Sequence, residues 1–416
     1  MNNKAKLYGW FVVAASWLAV FSLFGYRATF AILKEPMSLD LGWSQTQITF
    51  GYSLMMIFYA LTAFFGGMIL DRWGTRPVYA LSAIFGGAGF LCTSFVESYL
   101  AYLFTFGVLA GIATGMLWVT STVSVRKWFV GKSYATMWGI AFAGAPVAQW
   151  VLAEVTKNSL SSGAADAWRN TMLLLGIIIF ITLLAATLIA RKTPEKYNLI
   201  PFGELNSNNG TEPEWSVKQA FASYAIWGAI LTFLTSMMAE FLIWTQIVSY
   251  WTTDLGWTQE RAVDVYKTIG IIGIFSMPLL GIAADKLVAK TGSEARGRKI
   301  MLIAGPLTGA IACILLLQSD SLLLAYIAAF IFAVYWAIVP GGVVGYTGAV
   351  YGRKTLGKIW GLATLIVMGI GPFTGSFLGG LFKDLSGTYI WSISFALVSF
   401  ITSALFAFTL PLRAEK

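Results

Sequence analysis

Arg27, in SLFGYRATF, and Glu240, in SMMAEFLIW, are the two ionisable residues that lie deep inside long apolar segments. The other charges fall in the polar connections between such segments or near the segments' ends. A guanidinium donates in a planar fork that matches a carboxylate. A carboxylate that loses its counter-ion in a low-dielectric setting takes up a proton. Set together, the two residues make a charge-balanced pair. Empty, they neutralise each other; with a monoanion on Arg27, a proton on Glu240 restores neutrality. Proton-coupled binding of a monocarboxylate therefore fits, whereas a dicarboxylate leaves one surplus negative charge. A zwitterion fits equally, with its carboxylate on Arg27 and its amine on Glu240, and needs no proton. A permanent Arg27–Glu240 salt bridge is the structural alternative.

Five aromatic residues, Tyr52, Trp118, Trp244, Tyr335 and Trp336, stand where they can wall an organic ligand or hold an ammonium by cation–π contact. Their plainer use is packing or an interfacial belt.

The elements that carry these residues are apolar helices. Of the 416 residues 57% are hydrophobic and 11% charged, and mean hydropathy is +0.73. Soluble domains carry roughly 25% charged residues, so the composition is that of an integral membrane protein. Runs of about 20 apolar residues, each enough to cross the hydrocarbon as a helix, fall at 8–33, 46–70, 77–97, 101–125, 133–155, 170–190, 225–251, 262–284, 299–318, 322–350, 357–382 and 387–411. A charge at the centre of such a span costs about 2.5–3.5 kcal/mol on translocon scales. Arg27 and Glu240 are therefore disfavoured as lipid-facing residues.

With both termini placed in the cytoplasm, 21 of the 28 Lys and Arg residues fall on the inner side and six on the outer. That bias orients the chain in the cell's inner (plasma) membrane and accounts for the net charge of +9. A nucleic-acid partner is not indicated. The first span is followed by Lys-Glu-Pro rather than a small-residue cleavage site, so it reads as a membrane helix and not a signal peptide. The chain has no His and no cluster of metal ligands. Gly131-Lys132-Ser133 lacks the upstream glycine of a nucleotide-binding loop. No cofactor is expected, and an intramembrane enzyme would have little to work with. Cys92 and Cys313 suit small buried apolar positions.

An internal repeat organises the spans. DLGWSQTQ begins at Asp40 and DLGWTQER at Asp254; Asp71 in GGMILDRWG recurs as Asp285 in GIAADKLVA, at the same 214-residue offset. Ser44 and Thr258 are placed to cap the second helix of each half, and Gln47 completes a capping-box spacing. Asp40 and Asp254 would keep the turns wet, and Trp43 and Trp257 suit the lipid interface. The repeat divides the chain into a first six-helix half at 1–190, a polar linker at 191–217 and a second half at 218–416. The stretch after the linker, WSVKQAFASYAIW, reads as an amphipathic surface segment.

Gly67-x-x-x-Asp71-Arg72-x-Gly74-x-Arg76 resembles the loop motif of the major facilitator superfamily, with a degenerate second copy at Gly281 and Asp285. Arg126-Lys127 and Arg353-Lys354 are similar to the charged inner helix ends of that superfamily. The resemblance implies an all-α membrane fold: twelve transmembrane helices in two pseudo-symmetric halves around a central cavity. It also implies an inner gate in which Asp71 pairs with Arg72, Arg76 or Arg126 when the inside is shut; solvated surface charge is the alternative. Within the superfamily the chain is similar to the monocarboxylate transporter and oxalate–formate antiporter branch. The likeness is carried by LGWS, WTQIVSYWTTDLGWT, YGRKTLGKIWG and GIGPFTGSFLGGLFKDLSG, and by Arg27 seven residues before Lys34-Glu35. One departure stands out. That branch places a substrate-binding arginine four residues before the glycine matched by Gly281, and this chain has Met277 there.

In the implied fold the first and seventh helices both line the cavity, and Arg27 and Glu240 differ in depth by roughly 7 Å, counting rises along the helices. The expectation is a monomeric carrier of small organic anions, coupled to protons and working by alternating access. A zwitterion carrier or an organic-anion exchanger is the second reading, and a transporter-like nutrient sensor a remote third.

Overall fold

The structure is a computed structural model that describes residues 3–43, 45–160, 164, 166–203, 215–318 and 321–414. Within these ranges several side chains lie outside the description, among them those of Arg27, Lys34 and Glu35. The chain is helical: α1 (Asn3–Leu41), α2 (Gln45–Trp73), α3 (Thr75–Thr93), α4 (Tyr99–Tyr102), α5 (Ala110–Trp128), α6 (Tyr134–Phe142), α7 (Gly144–Leu160), α8 (Ala167–Ile189), α9 (Val217–Ala222), α10 (Tyr224–Ser249), α11 (Gln259–Thr291), α12 (Glu294–Leu317), α13 (Leu322–Tyr351), α14 (Leu356–Ser386) and α15 (Ile390–Thr409). A π-helical stretch, Leu103–Leu109, joins α4 to α5.

Among the described residues eleven spans are long and apolar enough to cross a membrane. In hydrocarbon no water satisfies the backbone N–H and C=O groups, and a continuous apolar run of this length meets them within itself as a helix. The span anticipated at 77–97 is α3, a 19-residue helix whose Arg76-Pro77 start and glycines dilute its apolarity. After the polar linker, Ser216 and Gln219 form a reciprocal capping box that starts α9, and the chain breaks at Ser223 before α10.

Two compact units form. The first comprises Met1–Phe129, Ile140–Pro201 and Leu356–Leu365. In it α1 packs on α5, α7 and α8, while α3 packs on α5 and α8 and α2 on α5. The second comprises Val130–Gly139, Phe202–Thr355 and Ile366–Lys416. Here α12 packs on α13 and α15, α10 on α15 and α13, and α11 on α13. Each unit takes in one helix start from outside its own half of the sequence repeat: the first turns of α14 in one, those of α6 in the other.

The DLGW corners are built alike. Gly42 and Gly256 both adopt left-handed backbone, φ +66° and +68°, a conformation glycine enters without steric cost. Thr258 caps α11, its hydroxyl accepting from Arg261 N at 3.4 Å; Ser44 lies outside the described residues. The two aspartates do more than keep the turns wet. Asp40 accepts from Trp168 Nε1 at 2.9 Å and Arg169 Nε at 3.3 Å, at the start of α8. Asp254 accepts from Thr388 Oγ1 at 2.7 Å and Tyr389 N at 2.6 Å, just before α15. Each repeat aspartate thus ties its corner to the N-terminal end of the last helix of its half.

Candidate functional site

At the end of α2, Asp71 accepts from Lys127 Nζ at 2.6 Å and from the backbone N–H of Lys358 at 2.8 Å. Lys358 lies in the first turn of α14, where backbone N–H groups lack intrahelical partners and the helix dipole favours an anion. Asp71 supplies both the acceptor and the charge. Gly67, one turn earlier, makes the approach possible: a Cβ there would stand 2.1 Å from Gly357 O.

The second copy of the motif repeats this construction. Asp285 accepts from Ala135 N at 2.9 Å and Thr136 N at 2.7 Å, in the first turn of α6. Arg298 Nη2 donates to Asp285 at 2.9 Å and to Gly131 O at 2.7 Å. The guanidinium lies over the Tyr134 ring at 5.2 Å, and Glu294 is 3.6 Å away. A Cβ on Gly281 would stand 2.2 Å from Ala135 O. Both clusters are buried, with the Asp71–Lys127 side chains 6% and 8% exposed and the Asp285–Arg298 side chains 5% and 1%.

Of the sequence-derived gate residues, Asp71 sits at the centre of its cluster, where the cation it meets is Lys127. Arg72 is exposed and stacks on Trp73 at 5.0 Å. Arg76, also exposed, donates to Ala190 O at 3.0 Å just beyond the end of α8. Arg126 is buried and donates to Phe129 O at 3.3 Å.

In the second unit α10 carries Glu240, 6% exposed. The Tyr335 hydroxyl on α13 reaches Glu240 Oε2 at 3.0 Å, Ser236 Oγ at 2.8 Å and Ser236 O at 3.2 Å. One turn along α10, Trp244 meets Tyr266, Phe332 and Trp336 edge-on at 5.4, 5.6 and 5.2 Å. Trp244 and Trp336 from the sequence-derived set are thus in contact, and Tyr335 and Glu240 share a hydrogen bond. Met277 is fully buried in α11, so an apolar side chain occupies the position where the sequence departs from its look-alikes.

In the first unit α1 carries Arg27, whose side chain lies outside the described residues. Tyr52 stacks on Phe30 at 4.7 Å. Trp118 is 3% exposed and meets Phe142 edge-on at 5.8 Å.

Sequence reasoning missed Phe30, Tyr266, Ser236 and Arg298. For two of them the signal was the repeat. Phe30 and Tyr52 shifted by 214 are Trp244 and Tyr266, and both pairs touch. Ser236 matches Ser22 at the same offset, although Ser22 meets Thr182 Oγ1 at 2.8 Å instead of a tyrosine. Arg298, opposite Ile84, left no such trace.

The helical architecture, the doubled Gly-x-x-x-Asp cluster and the buried carboxylate together define a membrane transporter. The family model of the major facilitator superfamily matches residues 15–375, and the chain belongs to that family, whose members are transporters rather than enzymes. It is 24% identical over 408 residues to the probable galactarate/D-glucarate transporter GudP of Bacillus subtilis, covering 89% of this chain and 88% of that one. It is 23% identical over 413 residues to monocarboxylate transporter 11 of Homo sapiens, covering 92% and 82%. The solved structure of the major facilitator transporter FucP in its outward conformation superposes with a TM-score of 0.73 at 13% identity, over 96% of this chain and 98% of that one.

Proposed function

We propose that this protein carries small monocarboxylates together with protons across the cell's inner membrane by alternating access. Arg27 takes the substrate carboxylate and Glu240 the proton. The halves at 1–190 and 218–416 rock about the linker 191–217 as a monomer, with both termini in the cytoplasm. The Asp71 and Asp285 clusters hold the cytoplasmic end shut and release it when the carrier turns inward. Tyr52, Trp118, Trp244, Tyr335 and Trp336 wall the substrate.

The observation that carries this reading is Glu240, a carboxylate 6% exposed in an apolar membrane helix. Buried ionisable residues in membrane helices are costly and serve transport, and a carboxylate is the side chain that neutralises by taking a proton. The printed names of relatives, a probable galactarate/D-glucarate transporter and a monocarboxylate transporter, agree with an organic acid as cargo. The charge balance favours the monoacid over the diacid.

Uptake of labelled lactate and labelled glucarate into proteoliposomes, with and without an inward proton gradient, tests the reading. Gradient-driven accumulation of the monoacid is expected. Accumulation of the diacid alone, or of neither under any gradient, would overturn it.

The aromatic cluster around Trp244, one helical turn from Glu240, favours a second reading. Aromatic faces beside a carboxylate suit an ammonium group, which makes an amino-acid or betaine-like zwitterion the competing cargo.

A further inference from the structure

Tyr335 presents one hydroxyl to three oxygen atoms, Glu240 Oε2 at 3.0 Å, Ser236 Oγ at 2.8 Å and Ser236 O at 3.2 Å. A phenol has a single proton to donate and lone pairs to accept with, so it cannot donate to all three at once. Which contact it donates to is decided by what Glu240 offers.

When Glu240 is ionised it can only accept. Tyr335 O–H then donates to Oε2, and the Ser236 hydroxyl donates to the Tyr335 oxygen. When Glu240 is protonated on Oε2 it becomes a donor. Its O–H points at the Tyr335 oxygen, and Tyr335 O–H turns to Ser236 O or Oγ. Both arrangements use the same heavy-atom positions, and only hydroxyl protons rotate. Buried polar groups without partners are costly, and Tyr335 is fully buried. The triad keeps the phenol satisfied in both charge states of its neighbour.

We infer that Tyr335 and Ser236 form a polarity-reversing hydrogen-bond relay that lets Glu240 gain and lose a proton inside the membrane without moving a side chain. In the relay both act through Glu240, whatever part Tyr335 also takes in the substrate wall. The inference rests on the reading of Glu240 as the proton site.

Behind Tyr335 on α12 lies Cys313, fully buried. No titratable side chain occurs on α15 (Ile390–Thr409). On α11 the Tyr266 ring meets Trp244, while Asp264 and Lys267 pair with each other at 3.2 Å. From α14, Gly371 and Gly375 come against Met237 and Met238. Lys218 on α9, and Tyr250 and Asp254 just past α10, belong to the ends of that helix. Arg27 is the cation that the proposed function sets against the carboxylate.

Infrared difference spectroscopy of the purified, substrate-free protein across a pH series tests the relay without relying on transport. The carbonyl band of a protonated carboxyl that disappears in Glu240→Gln belongs to Glu240, and its midpoint is the readout. In Tyr335→Phe the ionised form loses a charge-assisted donor, while the neutral form loses only an ordinary acceptor. Charge-assisted bonds are roughly twice as strong, so the midpoint moves alkaline, by about one pH unit for a bond of that kind. Ser236→Ala removes the donor behind Tyr335 but keeps the backbone carbonyl. Its shift has the same sign and is smaller, and Ser236→Thr, which restores the hydroxyl, brings the midpoint back. An unmoved or acid-shifted midpoint in Tyr335→Phe overturns the relay. So does an unmoved midpoint in Ser236→Ala, the variant to rely on should the phenylalanine protein not fold. If the midpoint shifts as expected but proton-driven uptake keeps the wild-type pH profile, the relay stands and the proton-carrier reading of Glu240 fails.

Discussion

Asp71 and Asp285, 214 residues apart in the sequence, each hold the opening turn of a helix through its backbone N–H groups: Asp71 through Lys358 N, Asp285 through Ala135 N and Thr136 N. Each also neutralises a buried cation, Lys127 in one case and Arg298 in the other. The repeat glycines Gly67 and Gly281 clear the way for the same contact. Written twice, the Gly-x-x-x-Asp motif is a device for docking a carboxylate onto a helix start.

If these contacts shut the cytoplasmic end, Asp71→Asn and Asp285→Asn each remove charge-assisted bonds worth about 1.5–3 kcal/mol apiece. A loss of that size shifts a two-state population roughly tenfold or more toward the inward-open form. The larger shift belongs to Asp285, which accepts from two backbone N–H groups where Asp71 accepts from one. Labelling of single cysteines engineered at the two ends of the helices measures it. Equal labelling in wild type and both variants would reduce the clusters to structural salt bridges.

The glycines give an independent test that leaves every charge in place. Gly67→Ala and Gly281→Ala put a methyl group about 2 Å from a backbone carbonyl oxygen, a contact that the backbone must separate to relieve. Both variants should reproduce the labelling pattern of the aspartate substitutions. Gly256→Ala is the control: its Cβ enters open space at φ +68°, so it costs about 1–2 kcal/mol locally and leaves labelling unchanged. A control that labels like Gly67→Ala would refute the steric account.

What was legible in the sequence was whatever is written locally or written twice. Apolar runs name the helices because hydrocarbon admits only helices and closed barrels. Barrel strands are short and alternate in polarity, where these runs are long and continuous. The doubled motif exposed Asp285, beside which Lys286 and Lys290 stand where the first copy has Arg72 and Arg76. Rotation about a helix axis was not legible. Arg126 and Lys127 are neighbours and project about 100° apart on a helix, so choosing which one meets Asp71 required the fold. Partners distant in sequence were hidden too. Asp40 finds Trp168 and Asp254 finds Thr388 across separations of 128 and 134 residues, which no local pattern records. Glu240 stood out by its charge, whereas Ser236 is one small polar residue among many in these helices.

Arg27 carries the substrate carboxylate in the proposed function. Arg27→Gln should abolish binding of a monocarboxylate in calorimetry while the protein keeps its melting temperature to within a few degrees. Arg27→Lys keeps the charge but loses the planar two-pronged donor, and its affinity should fall by about tenfold or more, the equivalent of roughly 1.4 kcal/mol. Wild-type affinity in Arg27→Gln would remove this residue from the site.

Glu240 separates proton symport from zwitterion transport. Glutamine imitates the protonated acid, so under symport Glu240→Gln still binds a monocarboxylate through Arg27, and the pH dependence of binding flattens. The loaded carrier is then neutral and can turn over, so labelled substrate still exchanges for unlabelled substrate across a liposome membrane. Net accumulation driven by a pH gradient is lost, because no proton can be released with the cargo. The zwitterion reading requires the reverse. Glutamine cannot neutralise an ammonium group held beside Trp244, so binding itself collapses by about a hundredfold or more, the scale of an ion pair broken in a buried site. Binding, exchange and gradient-driven uptake measured on one preparation distinguish the two. Retained binding and exchange with lost accumulation assigns the proton to Glu240; lost binding assigns it an ammonium. If all three equal wild type, the hydrogen bond from Tyr335 at 3.0 Å marks Glu240 as a structural residue, and neither coupling scheme holds.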